Sequence, residues 1–150
     1  MNSYQKFSLM MAVSFIVMYG VMFLNADQFA HVMLSNTRTY MTILMIAPMI
    51  LIMMGFMWGM YKRKIINYIT MGAAVVVFVF TLLMLRNQTL ISDIQYMKAM
   101  IPHHSSAIMV SQKANLKDPE VKKLAKEIIE AQKREIELMN NLIEKIEQNK

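Results

Sequence analysis

Cysteine is absent from this chain of 150 residues. That excludes disulfides, thiolate metal sites and thiol catalysis. Histidine is scarce too, at three residues, and glycine numbers only four. No glycine-rich nucleotide loop and no Ser–His–Asp arrangement is visible. Charge is also thin: 17% of residues are Asp, Glu, Lys or Arg, against about 25% in ordinary soluble domains. What charge there is lies unevenly. Residues 1–85 carry only Lys6, Asp27, Arg38, Lys62, Arg63 and Lys64, and every other charged side chain falls in residues 86–150. Two solvents are implied, a membrane for the first part and water for the second.

Three apolar runs occupy the first part. Phe7 to Leu24 spans 18 residues, about 27 Å as a helix, close to the thickness of a hydrocarbon core. Tyr40 to Tyr61 is a second run with no charge, and Ile65 to Leu85 is a third, rich in Val and Phe. Lys6 before the first run imitates a signal peptide. No small-residue cleavage site follows it, so the run reads as a retained span. The expected organisation is a three-span membrane anchor at residues 1–85 and a water-facing domain at residues 86–150.

The loops set an expected orientation. Lys62-Arg63-Lys64 is a tight cationic link between spans two and three, whereas Asn25–Thr39 carries one acid and one base. Basic short loops stay cytoplasmic. In an inner (cytoplasmic) membrane the amino terminus is then cytoplasmic, and residues 25–39 and the tail face the periplasm or cell exterior. Absence of cysteine suits that oxidising side. The net charge of +6 does not argue for nucleic acid. Half of it sits in the link, and no basic patch interleaved with aromatics occurs.

The tail reads as a helical hairpin. One helix is expected from Thr89 to about Ala114, with Thr89 or Ser92 as its cap. After the turn at residues 115–118, Asp118-Pro119 restarts a helix that runs to about Gln148. The second helix has an apolar stripe of Leu124, Ile128, Ala131, Leu138, Leu142 and Ile146. Glu135 interrupts it, and an inward carboxylate needs a partner: a lysine, a metal or a histidine. Two helices cannot bury a core alone. Pairing with a second copy into a four-helix bundle is the expected remedy, so a homo-oligomer through the hairpin is implied.

The chemistry concentrates at residues 97–109, Met97-Lys98-Ala99-Met100-Ile101-Pro102-His103-His104-Ser105-Ser106-Ala107-Ile108-Met109. Two adjacent histidines stand among methionines, and imidazole with thioether suits Cu(I) or Ag(I) better than hard ions. On a helix, Asp93, Met97, Met100 and His104 share a face. His103 points about 100° away, with Tyr96, Ala107 and Val110. The bland alternative is a surface or interfacial histidine pair beside a kink, since Pro102 removes a backbone donor and frees the Lys98 carbonyl. Methionine also recurs at residues 41, 45, 49, 53 and 57 of the second run. A thioether ladder could pass Cu(I), and flexible apolar filler explains the same residues. His31 with Met33 is either an auxiliary ligand or an interfacial polar residue.

The tail resembles the family known as domain of unknown function 305, whose members have a ferritin-like helical fold. The matching stretches are Asp93…Tyr96-Met97…Met100-Ile101-Pro102-His103-His104…Ala107-Ile108, then Asp118-Pro119-Glu120-Val121, then Ile128-Ile129-Glu130-Ala131-Gln132…Glu135-Ile136…Met139. The three-run first half resembles the membrane-anchored branch. The resemblance implies periplasmic metal handling, with copper the usual metal. It points to Met97, Met100, His103, His104 and Met139 as ligands, with Asp93, Gln132 and Glu135 nearby. Many members place methionine where this chain has Val110, so Met109 is turned about 100° from the matching position.

The leading expectation is therefore an all-α, membrane-anchored, periplasmic metal-binding protein for Cu(I) or Ag(I) buffering, tolerance or delivery. Delivery would require a metal-handling partner protein. The alternative is a non-enzymatic, oligomeric interaction module with the histidine pair at an interface. The Glu-x-x-His pairs of di-iron bundles are missing, so an enzyme is not expected.

Overall fold

The computed structural model describes residues 2–149. Its helices run in chain order: α1 Ser3–Val21, α2 Asn36–Phe56, α3 Lys64–Arg86, α4 Asp93–Lys113 and α5 Pro119–Gln148. Single 3₁₀ turns form at Phe29–His31 and Trp58–Met60, and no strand occurs among the described residues. The all-α class follows from the sequence pattern. The helices α1, α2 and α3 are long and apolar enough to cross a membrane, with mean hydropathies of 1.2, 1.9 and 2.4. Two compact units form: Met1–Val21 with Thr37–Leu90, and Met22–Asn36 with Ile91–Lys150.

The first unit packs Phe7 and Met11 of α1 against Met54 of α2 and Tyr61, with Met49, Met53 and Met71 around them. Its polar anchor is Asn67, which is fully buried. Asn67 Nδ2 donates to the Tyr61 carbonyl at 3.0 Å, and its Oδ1 accepts the Tyr4 hydroxyl at 3.0 Å. The Arg63 N–H donates to the Tyr4 oxygen at 2.9 Å. Both ends of the buried amide are thus satisfied, as an apolar setting requires. The methionine series of α2 is not one continuous column. Met41 and Met45 are exposed, whereas Met49 and Met53 pack inward. All six charges of this unit, Lys6, Arg38, Lys62, Arg63, Lys64 and Arg86, are basic. The second unit is balanced, so the net +6 belongs to the first.

In the second unit, local sequence starts both hairpin helices. Ser92 caps α4, its side chain accepting the Gln95 N–H, with Asp93 in the first turn. Asp118 caps α5 more tightly, Oδ1 accepting from Glu120 N–H at 2.8 Å and Val121 N–H at 3.0 Å. Pro119 follows at the first helical position, where its missing donor costs nothing. Pro102, where the sequence suggests a kink, does not end the helix. Helix α4 runs through it, and the proline is fully buried. One lost hydrogen bond is outweighed by packing on both sides of it.

The inward face of α5 is not the stripe expected from spacing. Ile129, Ile136, Met139, Ile143 and Ile146 pack with Met97, Ile101 and Ile108 of α4. Leu124, Leu138 and Leu142 remain 54%, 58% and 40% exposed. Ile146 belongs to both sets; the rest of the expected stripe is offset from the inward one by about one residue, some 100° round the helix. Each repeats at spacings of three and four, so periodicity alone does not rank them. The apolar surface of α5 is wider than one neighbouring helix can cover.

Candidate functional site

Helix α4 places His103 and His104 on different faces. His103 is exposed and His104 is buried, at 9%. Their rings are 6.0 Å apart at 66°. Only His104 enters the hairpin interior. Its Nδ1 lies 2.9 Å from the Met100 carbonyl and its Nε2 lies 2.7 Å from Glu135 Oε2 of α5. A carbonyl can only accept, so Nδ1 carries a proton and donates it. The Nε2–Glu135 contact then holds one further proton, on the ring or on the carboxyl. The carboxylate that interrupted the outer stripe has its partner, a histidine of α4. Its side chain is 53% exposed, so the pair lies at the edge of the hairpin and not in its centre.

The hairpin is antiparallel, with Lys98 Nζ bonded to Glu147 at 3.1 Å near one end and His104 to Glu135 further along. Counting back from that pair sets Met100 level with Met139, one turn from His104 and Glu135. Met97 is buried in the same apolar cluster as Met139. Asp93 is exposed at the start of α4, about 16 Å along the axis from His104, and stands apart from this group. Gln132 and Met109 are half-buried. Among the described residues, no three His, Asp or Glu side chains converge as a metal-binding group.

The segment between α1 and α2 completes this unit, a feature sequence reasoning missed. Ser105 is fully buried, and its Oγ accepts the Asp27 N–H at 2.8 Å and shares a hydrogen bond with His31 Nδ1 at 2.8 Å. Asn25 Nδ2 donates to Ser106 Oγ at 2.7 Å. The Asn36 N–H donates to Gln95 Oε1 at 2.8 Å. Met33 packs on the cluster of Met97 and Ile101. Thus α4 is covered by α5 on one side and by residues 25–36 on another. Ser105 adjoins the histidines in the motif, but nothing in the sequence paired it with a segment some 70 residues earlier. His31 and Met33 side by side were the one available signal.

Three apolar helices and a helical hairpin joined by a hydrogen bond from buried His104 to Glu135 define an all-α protein with a membrane-type half and a polar, sequence-specific half. Residues 85–150 match the domain of unknown function DUF305. The chain is also 36% identical over 142 residues to the uncharacterized protein L153 of Acanthamoeba polyphaga mimivirus, covering 91% of this chain and 90% of that protein. The chain belongs to the DUF305 family. No solved structure matches it.

Proposed function

We propose that this is a membrane-anchored protein that binds a soft monovalent ion, Cu(I) or Ag(I), as cargo for buffering, tolerance or delivery. One observation carries the reading. His104 has its Nδ1 held by a main-chain carbonyl, which turns Nε2 toward Glu135 at 2.7 Å, one helical turn from Met100 and Met139. A backbone-fixed imidazole is the usual arrangement behind a ligating histidine. Neutral thioethers beside it favour a soft ion over Zn²⁺ or Mg²⁺. The ion would replace the proton that Nε2 and Glu135 share, with Met100 and Met139 as the first sulfur donors and Met97 as a further one. His103 faces outward, free to meet a partner that receives the ion.

The anchor reading draws support from connectivity. Residues 25–36 and α4 bond to each other, so both lie on one side of any membrane the chain crosses. Two intervening spans, α2 and α3, return the chain to that side. The basic link Lys62–Lys64 between them supports a cytoplasmic position for that link, and with it a periplasmic one for the tail in an inner membrane.

The test uses the full chain in detergent under anaerobic, reducing conditions. Cu(I) is titrated against a competing chelator, with Zn²⁺ as control. Met100→Leu and Met139→Leu keep the volume and remove the sulfur, so the hairpin persists while affinity falls at least about tenfold for each. His104→Gln abolishes binding. Equal Cu(I) affinity in wild type and all three variants would refute the site. An unaltered helical spectrum rules out misfolding as the cause of any loss.

A further inference from the structure

The outer face of α5 carries a second seam. Val121, Leu124, Ile128, Ala131, Glu135, Leu138 and Leu142 follow one another at alternating spacings of three and four. That is a strict seven-residue repeat over three heptads, the signature of a helix that packs on another helix. Val121, Leu124, Leu138 and Leu142 are all substantially exposed in the single chain. A seam beside the one that α4 already fills marks a helix with two helical neighbours, and the chain supplies one.

We infer that the second neighbour is α5 of another copy of this chain, packed antiparallel. Direction follows from the flanking charges. In a parallel, in-register pair Glu127 and Arg134 would oppose Gln132 and Met139, neither of them charged. The register follows from the charged residues that flank the seam, Glu120, Glu127, Arg134 and Asn141. One antiparallel register opposes Ile128 with Ala131 of the second copy and Val121 with Leu138. It brings each Glu127 beside the other copy's Arg134, twice by symmetry. Sliding by one heptad one way opposes Arg134 to Arg134. The other way opposes Glu127 to Glu127, sets Glu120 beside Arg134 and shortens the overlap. Only the first register gains opposite-charge pairs with no like-charge pair. Within its own chain Glu127 has only a marginal contact, with Lys123 at 3.9 Å, and is available. A lipid surface is the poorer occupant. Helix α5 carries seven Glu against five Lys and one Arg, whereas a helix lying on anionic lipid is dominated by Lys and Arg. Glu135 does not obstruct the seam, because its carboxylate is turned aside to His104.

The cysteine-free chain allows an unambiguous test. Full chains bearing Val121→Cys and Leu138→Cys, with different tags, are co-expressed and oxidised in the membrane. In the antiparallel register Val121 meets Leu138, while like positions stand about 26 Å apart. The expected product is the mixed dimer, with neither homodimer. Homodimers without the mixed product would mean a parallel pair and overturn the proposal. No cross-link at all, with a monomer on light scattering, would overturn it in favour of another occupant. A blue-shifted fluorophore at Leu138→Cys on lipid vesicles would then identify lipid. Glu127→Arg alone should weaken the dimer about fivefold, and Glu127→Arg with Arg134→Glu should restore it. Neither residue belongs to the proposed metal site, so metal affinity and dimerisation are measured independently.

Discussion

Replacing Ser105 with alanine removes one oxygen and leaves two groups without their partner. The Asp27 N–H and His31 Nδ1 both lie 2.8 Å from Ser105 Oγ, in a position with no solvent access to the serine. A typical intramolecular hydrogen bond contributes about 0.5–1.5 kcal/mol net. Losing two therefore costs the docked segment about 1–3 kcal/mol, unless water reaches the orphaned groups. Converted to an opening equilibrium, that is about fivefold to 150-fold. Amide hydrogen exchange on the full chain in detergent reads it directly, at Asp27 and across residues 25–36. Exchange there should quicken by that factor, while amides of α5 stay protected, since the α4–α5 cluster is untouched. Ser106→Ala is the control. It deletes an exposed bond from Asn25 Nδ2 that water readily replaces, so exchange at Asp27 should change less than about threefold. Unchanged exchange in Ser105→Ala would refute the claim that this serine holds the segment on α4.

Two further outcomes follow from the hairpin. Ile101 has no exposed surface and sits at the centre of the α4–α5 cluster, so Ile101→Ala should destabilise that unit by about 2–5 kcal/mol, seen as a lower midpoint in chemical unfolding followed by helical signal. Asp118→Ala removes the cap on two α5 amides and should cost about 0.5–2 kcal/mol. Its readout is faster exchange confined to the first turn of α5.

Elements with a local cause were legible in the residues themselves. The caps at Ser92 and Asp118, Pro119 at the start of α5 and the three apolar helices all depend on residues within a few positions of one another. The bounds moved by a few residues: the first run was expected at Phe7–Leu24 and the helix is Ser3–Val21. Pro102 does not end α4, because here a local rule meets tertiary packing. The proline ring is buried in the hairpin, and burial holds the helix across the missing bond.

The candidate site divides in the same way. The divergence of His103 and His104 is dictated by helical geometry, since neighbouring residues point about 100° apart. That an inward carboxylate at Glu135 needed a partner was likewise a demand of the sequence. Which partner it takes, His104 across the hairpin, depends on the level at which two antiparallel helices register, and no local rule sets that. The choice of inner face on α5 was open for a related reason. Two stripes about one residue apart share the same period, and only contact with α4 buries one while Leu124, Leu138 and Leu142 of the other stay exposed. The segment at residues 25–36 shows the limit most plainly. Its polar residues read as an ordinary loop, yet Asp27, His31 and Met33 meet Ser105 and the hairpin cluster. Composition and periodicity determined an all-α chain with a membrane-type half and a Met/His hairpin, because those follow from solvent preference and short-range geometry. Pairing across long sequence separations was decided by the tertiary structure alone, since it depends on which buried polar groups can satisfy one another once the chain is packed.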